Sequence, residues 1–190
     1  MIYLKEMAKE VRDEDTDGAA NSREWESYRK HLASLKPRLS KNAWKYFWEG
    51  FAETGIHDAR LVALTIGDGL RRVPERSRLK IKADFINQSS KYLFSFSYSR
   101  IKRFDFQFDA TVGQHLIDRA TGKDFHSANA YLDRNELGDV MGDELTAVDD
   151  RYLRHEILFV SQARIVIEAA QLSFGRNVIK QAKRRSRAVR

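Results

Sequence analysis

The sequence predicts an α+β fold in which N-terminal helices pack on an antiparallel sheet of about six to eight strands. Three observations predict it. Apolar residues in the first third recur at helical spacing. From Arg60 onward the apolar period falls to two. Short clusters of glycine, aspartate and serine then separate the alternating runs. With 42% apolar and 11% aromatic residues in 190, there is enough material for one packed core.

Leu4, Met7, Ala8 and Val11 share one helical face. Asp13 to Ser22 is acidic, small and aperiodic, and reads as a linker. Asn21 or Ser22 is placed to cap a second helix, with Glu24 three positions after Asn21. That helix carries Trp25, Tyr28, Leu32 and Leu35 and should stop near Pro37. Ser40 then caps a third helix bearing Trp44, Phe47, Trp48 and Phe51, which Gly55 terminates. This aromatic stripe reads as a core face or as a partner-binding face.

Four strands follow: Leu61 to Ile66, ending in the turn Gly67-Asp68-Gly69; Leu79 to Phe85; Tyr92 to Tyr98; and Phe104 to Phe108. Ala110 to Gly142 mixes a short helical pattern with ambiguous sequence. A three-strand meander closes the domain: Glu144 to Val148, Tyr152 to Val160, and Ala163 to Phe174. The expected organisation is a helix and acidic linker over 1–22, one α+β domain over 23–175, and a basic tail over 176–190.

Charge is concentrated in that tail. The chain has 34 Lys and Arg against 27 Asp and Glu. Arg176, Lys180, Lys183, Arg184, Arg185, Arg187 and Arg190 lie in the last stretch with no acid, and without those seven the remaining 27 cations match the acids. Such a segment can neutralise phosphates in nucleic acid in a salt-dependent way, or simply be a solvated terminus. No apolar run is long enough to span a membrane. The absence of cysteine excludes disulfides, thiolate metal ligation and cysteine nucleophiles. The expectation is a cytoplasmic protein without a cofactor.

No phosphate-cradling glycine loop, nucleophile elbow or zinc-protease helix is present. Three polar pairs stand out: His57-Asp58 before the first strand, Asp143-Glu144 at the opening of the late meander, and His155-Glu156 within its second strand. Alternation puts His155 on the apolar face with Leu153, Ile157 and Phe159. His57, Asp58, Glu144 and His155 are residue types that can ligate a divalent metal or exchange protons, as in a metal-dependent hydrolase. The other reading makes His155 a hydrogen-bonded core imidazole and Asp58 a bridge at the helix-to-strand junction.

Together, Leu32-Ala-Ser-Leu-Lys-Pro-Arg-Leu-Ser40, Gly55-Ile-His-Asp-Ala-Arg-Leu-Val62, Gly142-Asp-Glu-Leu145 and His155-Glu-Ile-Leu-Phe159 resemble uncharacterised bacterial domain families. Those families have a helical lead-in, a His-Asp-Ala junction and a β-meander. The resemblance covers about residues 23–174 and marks His57, Asp58, Ala59, Glu144 and His155 as motif positions without roles. It implies a non-enzymatic protein-interaction module, some relatives being immunity proteins that neutralise a partner toxin. The basic tail departs from the pattern and leaves nucleic acid as the alternative partner.

Overall fold

The computed structural model describes residues 18–49, 55–68, 79–108 and 137–179. Its elements are two helices, α1 (Gly18–Leu35) and α2 (Lys41–Glu49), a 3₁₀ turn between them (Lys36–Arg38), and six strands. These are β1 (Arg60–Asp68), β2 (Leu79–Ile86), β3 (Tyr92–Gln107), β4 (Val140–Ala147), β5 (Leu153–Phe159) and β6 (Arg164–Val178). All pair antiparallel in the order β1-β2-β3-β6-β5-β4. The sheet is thus two three-stranded meanders, joined along their long third strands from Tyr92↔Val178 to Gln107↔Arg164.

The two outer strands meet at one end. Arg60 and Asp139 form an antiparallel bridge. Asp58 N–H donates to Val140 O and Val140 N–H to Ala59 O, both at 2.9 Å. Asp58 reaches this position with φ 59°, a left-handed conformation that aspartate tolerates better than most residues. Bulges between Leu61 and Ala63 and between Val140 and Gly142 supply the bend that such closure requires. The result is a strongly curved, partly closed barrel.

Its inner face is aromatic and aliphatic. Phe85, Phe94, Phe96, Tyr98, Leu145, Ile157, Phe159, Ile165 and Ile167 are all buried there. Helix α2 closes it with Ala43, Tyr46 and Phe47. Ser40 caps that helix as the sequence predicts, its Oγ accepting from Ala43 N–H at 3.3 Å.

Several sequence expectations change. Helix α1 begins at Gly18, inside the stretch read as linker, so Asn21 and Ser22 lie within it rather than capping it. Ala19 and Ala20 are strong helix formers and can extend a helix whose apolar face lies further along. The Tyr92 to Tyr98 and Phe104 to Phe108 runs are one strand. Arg100 at φ 55° and a bulge between Ile101 and Arg103 bend β3 where a turn was expected. Strand β6 runs on to Val178, past the expected strand end at Phe174. The first helix, the second half of the Gly67-Asp68-Gly69 turn, Phe51 and most of the Ala110 to Gly142 segment lie outside the described residues.

Helix α1 lies along the outer edge of β4. Tyr28 Oη accepts from Leu145 N–H at 3.0 Å, and His31 Nε2 accepts from Ala147 N–H at 3.3 Å. Edge N–H groups recur every second strand residue, about 6.6 Å apart, and one helical turn advances about 5.4 Å. Side chains three apart on the helix can therefore serve both and cover an edge that would otherwise invite strand pairing. Burial lowers the His31 pKa below its usual value, with the Glu144 charge opposing in part. Folding thus favours the neutral ring, so this contribution is full above the unfolded value near pH 6.5 and is lost as pH falls. The hydrogen-exchange protection factor at Ala147, taken relative to the intrinsic amide rate at each pH, should fall from about pH 6.5 downward. A His31→Gln variant should show no such step, and a step that persists in it would assign the effect elsewhere.

Candidate functional site

Inside the barrel four polar side chains form one continuous chain of hydrogen bonds. Tyr46 Oη on α2 donates to the Asp143 carboxylate on β4, at 2.9 and 3.0 Å to its two oxygens. Asp143 Oδ2 lies 2.9 Å from His155 Nε2 on β5. His155 Nδ1 lies 2.6 Å from Tyr98 Oη on β3. At the far end Tyr46 Oη also accepts from Ile56 N–H at 3.3 Å. One helix, three strands and the turn before β1 are tied together.

Proton placement follows from what each group offers. A carboxylate only accepts, so His155 carries its proton on Nε2, leaving Nδ1 to accept from Tyr98. Burial, and after it the Asp143 charge, pushes both tyrosine pKa values well above the usual phenol value. Both phenols therefore stay protonated and donate. His155 itself is 1% exposed, with Phe47 edge-on at 5.2 Å and Phe96 tilted at 4.9 Å between centroids. Neither ring nitrogen is left for a substrate or a metal.

The residues singled out from sequence are not gathered in one place. His57 is exposed, its Nδ1 3.0 Å from Asp58 Oδ2. Asp58 bridges to the start of β4 through its backbone N–H. His155 lies in the barrel interior. Glu144 points to the outer face, because neighbours on a strand alternate and Asp143 faces inward. There it is buried and stands opposite Glu156 in the register. Next to that pair, Arg154 reaches Glu168 at 2.6 and 3.0 Å and Glu156 at 3.8 Å, while Arg164 lies 3.9 Å from Glu156. No group of three or more potential metal-ligating side chains occurs among the described residues.

Arg176, assigned to the basic tail, belongs to β6, where its guanidinium lies 4.9 Å over the Tyr92 ring. Lys180, Lys183, Arg184, Arg185, Arg187 and Arg190 are outside the described residues. Sequence reasoning named Asp143 but carried Glu144 forward, and it missed Tyr46 and Tyr98. The available signal was parity: Asp143 shares its strand face with Leu145, an apolar neighbour two positions away. The aromatic stripe also resolves. Phe47 is core, whereas Trp44 and Trp48 stack on each other at 4.8 Å, half-buried, beneath Lys36 and Arg29.

No family model, curated protein or solved structure matches this chain.

Proposed function

We propose that this protein is a non-enzymatic binding module that takes an extended segment of a partner protein along the open edge of β1. The observation that carries this reading is the contrast between the two edges of the sheet. The β4 edge is covered by α1, which satisfies the Leu145 and Ala147 N–H groups. Strand β1 has β2 as its one strand neighbour along its length among the described residues. It exposes Val62 at 53% and Ile66 at 49%, beside Leu79 at 41%. An uncovered edge with apolar side chains suits strand addition, with backbone bonds giving affinity and the apolar side chains giving specificity. Lys80, which pairs with Gly67 of β1, favours an acidic segment. The interior polar chain supports the same reading, since it bonds within itself and presents no free nucleophile or base.

The sequence resemblance to bacterial domains with immunity members agrees with a single protein partner. The alternative, nucleic acid held by residues 180–190, is separable. The test is a one-to-one complex, isolated after nuclease treatment and measured by light scattering. A Val62→Lys/Ile66→Lys double variant should lose the complex by at least about tenfold in affinity, while deletion of 180–190 should leave it intact. Equal binding by the double variant would overturn the edge reading. Binding lost with the tail and steeply weakened by salt would place the function in nucleic-acid association instead.

A further inference from the structure

Strand β1 has two unlike stretches. Its start is already engaged, because Arg60 bridges to Asp139, and the bulge between Leu61 and Ala63 then breaks the regular ladder. From Leu64 to Asp68 the pairing with β2 is regular, which leaves about 17 Å of edge for an added strand. Resting on the strand-addition reading above, we propose that this stretch selects a segment with the pattern apolar, any residue, apolar, glutamate, and that the glutamate reaches over Gly67 to Lys80.

Register decides which residue of an added strand meets which surface. Leu64 and Ile66 pair with Ala83 and Ile81, which are buried on the inner face. Thr65 and Gly67 pair with Lys82 and Lys80 on the outer face. An added strand continues that alternation. Its residues opposite Leu64 and Ile66 therefore lie on the apolar side, where Ile66 is 49% exposed and gains cover. The residue opposite Gly67 lies on the polar side.

Charge singles out that last position. Two of the cations around this edge are held, Arg60 at 3.5 Å from Asp139 and Lys82 at 2.8 Å from Asp84. Lys80 is exposed and has no ion-pair partner among the described residues. Between Lys80 and an added strand stands Gly67, beside which the space is open: a Cβ there would meet no atom within 4 Å. The added strand lies two strand spacings from β2, about 9.6 Å. A lysine and a glutamate extended towards each other span that gap across a residue without a side chain. Aspartate, one methylene shorter, reaches less well.

The probe is a random-peptide library displayed on phage and selected on the full chain. Enriched peptides should carry the pattern in the order given if the added strand is parallel to β1, and reversed if it is antiparallel. A synthetic copy of an enriched peptide, followed by fluorescence anisotropy, should lose about two- to fivefold in affinity when its glutamate becomes glutamine, the size of an exposed ion pair. That loss should vanish in Lys80→Gln and shrink at high salt. Lys80→Glu should prefer lysine in the peptide over glutamate. Gly67 is not held at positive φ, so Gly67→Val should melt no lower than the parent, yet its new side chain should remove the glutamate preference. Peptides that lose affinity for the Val62→Lys/Ile66→Lys variant but show no glutamate preference, or keep it in Lys80→Gln, would overturn this inference and leave the edge reading standing. Peptides that bind the double variant as tightly as the parent, or a selection that enriches none, would overturn the edge reading and this inference with it.

Discussion

Replacing Phe96 by alanine is expected to cost about 3–5 kcal/mol of folding stability. The ring is fully buried. It lies at 5.0 Å from Tyr46, 5.0 Å from Phe174, 4.9 Å from His155 and 6.0 Å from Phe85, centroid to centroid. Each of these four neighbours is itself a rigid ring, so the void left behind closes poorly by rotamer change, and the cavity term adds to the lost transfer free energy. The matched control is Val62→Ala on the exposed edge, expected within about 0.5 kcal/mol of the parent. Urea unfolding measures both. A Phe96 loss as small as that of Val62 would mean that the aromatic interior is not the packing centre that holds α2 on the sheet.

Removing Asp143 acts by a different mechanism and should cost about 2–5 kcal/mol. Asp143→Ala deletes the acceptor shared by Tyr46 and His155 and leaves two buried donors unsatisfied. Each such donor is worth about 1–3 kcal/mol. Asp143→Asn keeps one acceptor oxygen and should cost less than alanine. A double-mutant cycle of Asp143→Asn with Tyr98→Phe should show coupling, although the two side chains do not touch, because His155 carries the effect between them. Strict additivity would show that the four groups act as separate pairs. An Asp143→Ala cost below about 0.5 kcal/mol would mean that water replaces the carboxylate without loss.

The fold class was legible because period and turn chemistry are local properties. The alternation of Leu79, Ile81, Ala83 and Phe85 appears directly as β2. Ser40 caps α2, and Leu153, Ile157 and Phe159 line the inner face together with His155. Less legible was anything that depends on where distant strands meet. Nothing near Arg100 marks β3 as continuous, because the bulge is set by pairing with β6. Strand β6 takes in Arg176, which pairs with Phe94 and lays its guanidinium over the diagonal Tyr92 ring, partners far away in sequence. The interior polar chain was half legible. His155 was placed correctly on the apolar face by alternation, yet its partners come from α2, β3 and β4. Parity with Leu145 marks Asp143, and not Glu144, as the inward member, but only the closing of the sheet brings it to His155 and Tyr46. His57 fell away for the opposite reason, since its partner is merely its chain neighbour.

The meander arrangement also sets an order of assembly. Within each half, β1-β2-β3 or β4-β5-β6, pairing joins strands adjacent in sequence, so only short loops are closed and little chain entropy is lost. The seam between β3 and β6 joins residues such as Gln107 and Arg164 that are distant along the chain, as does the Arg60–Asp139 bridge. Such long-range pairings dominate the folding barrier in sheet proteins. The halves are therefore the early units and their seam the slow event, with the bridge as the last clasp to fasten and the first to loosen.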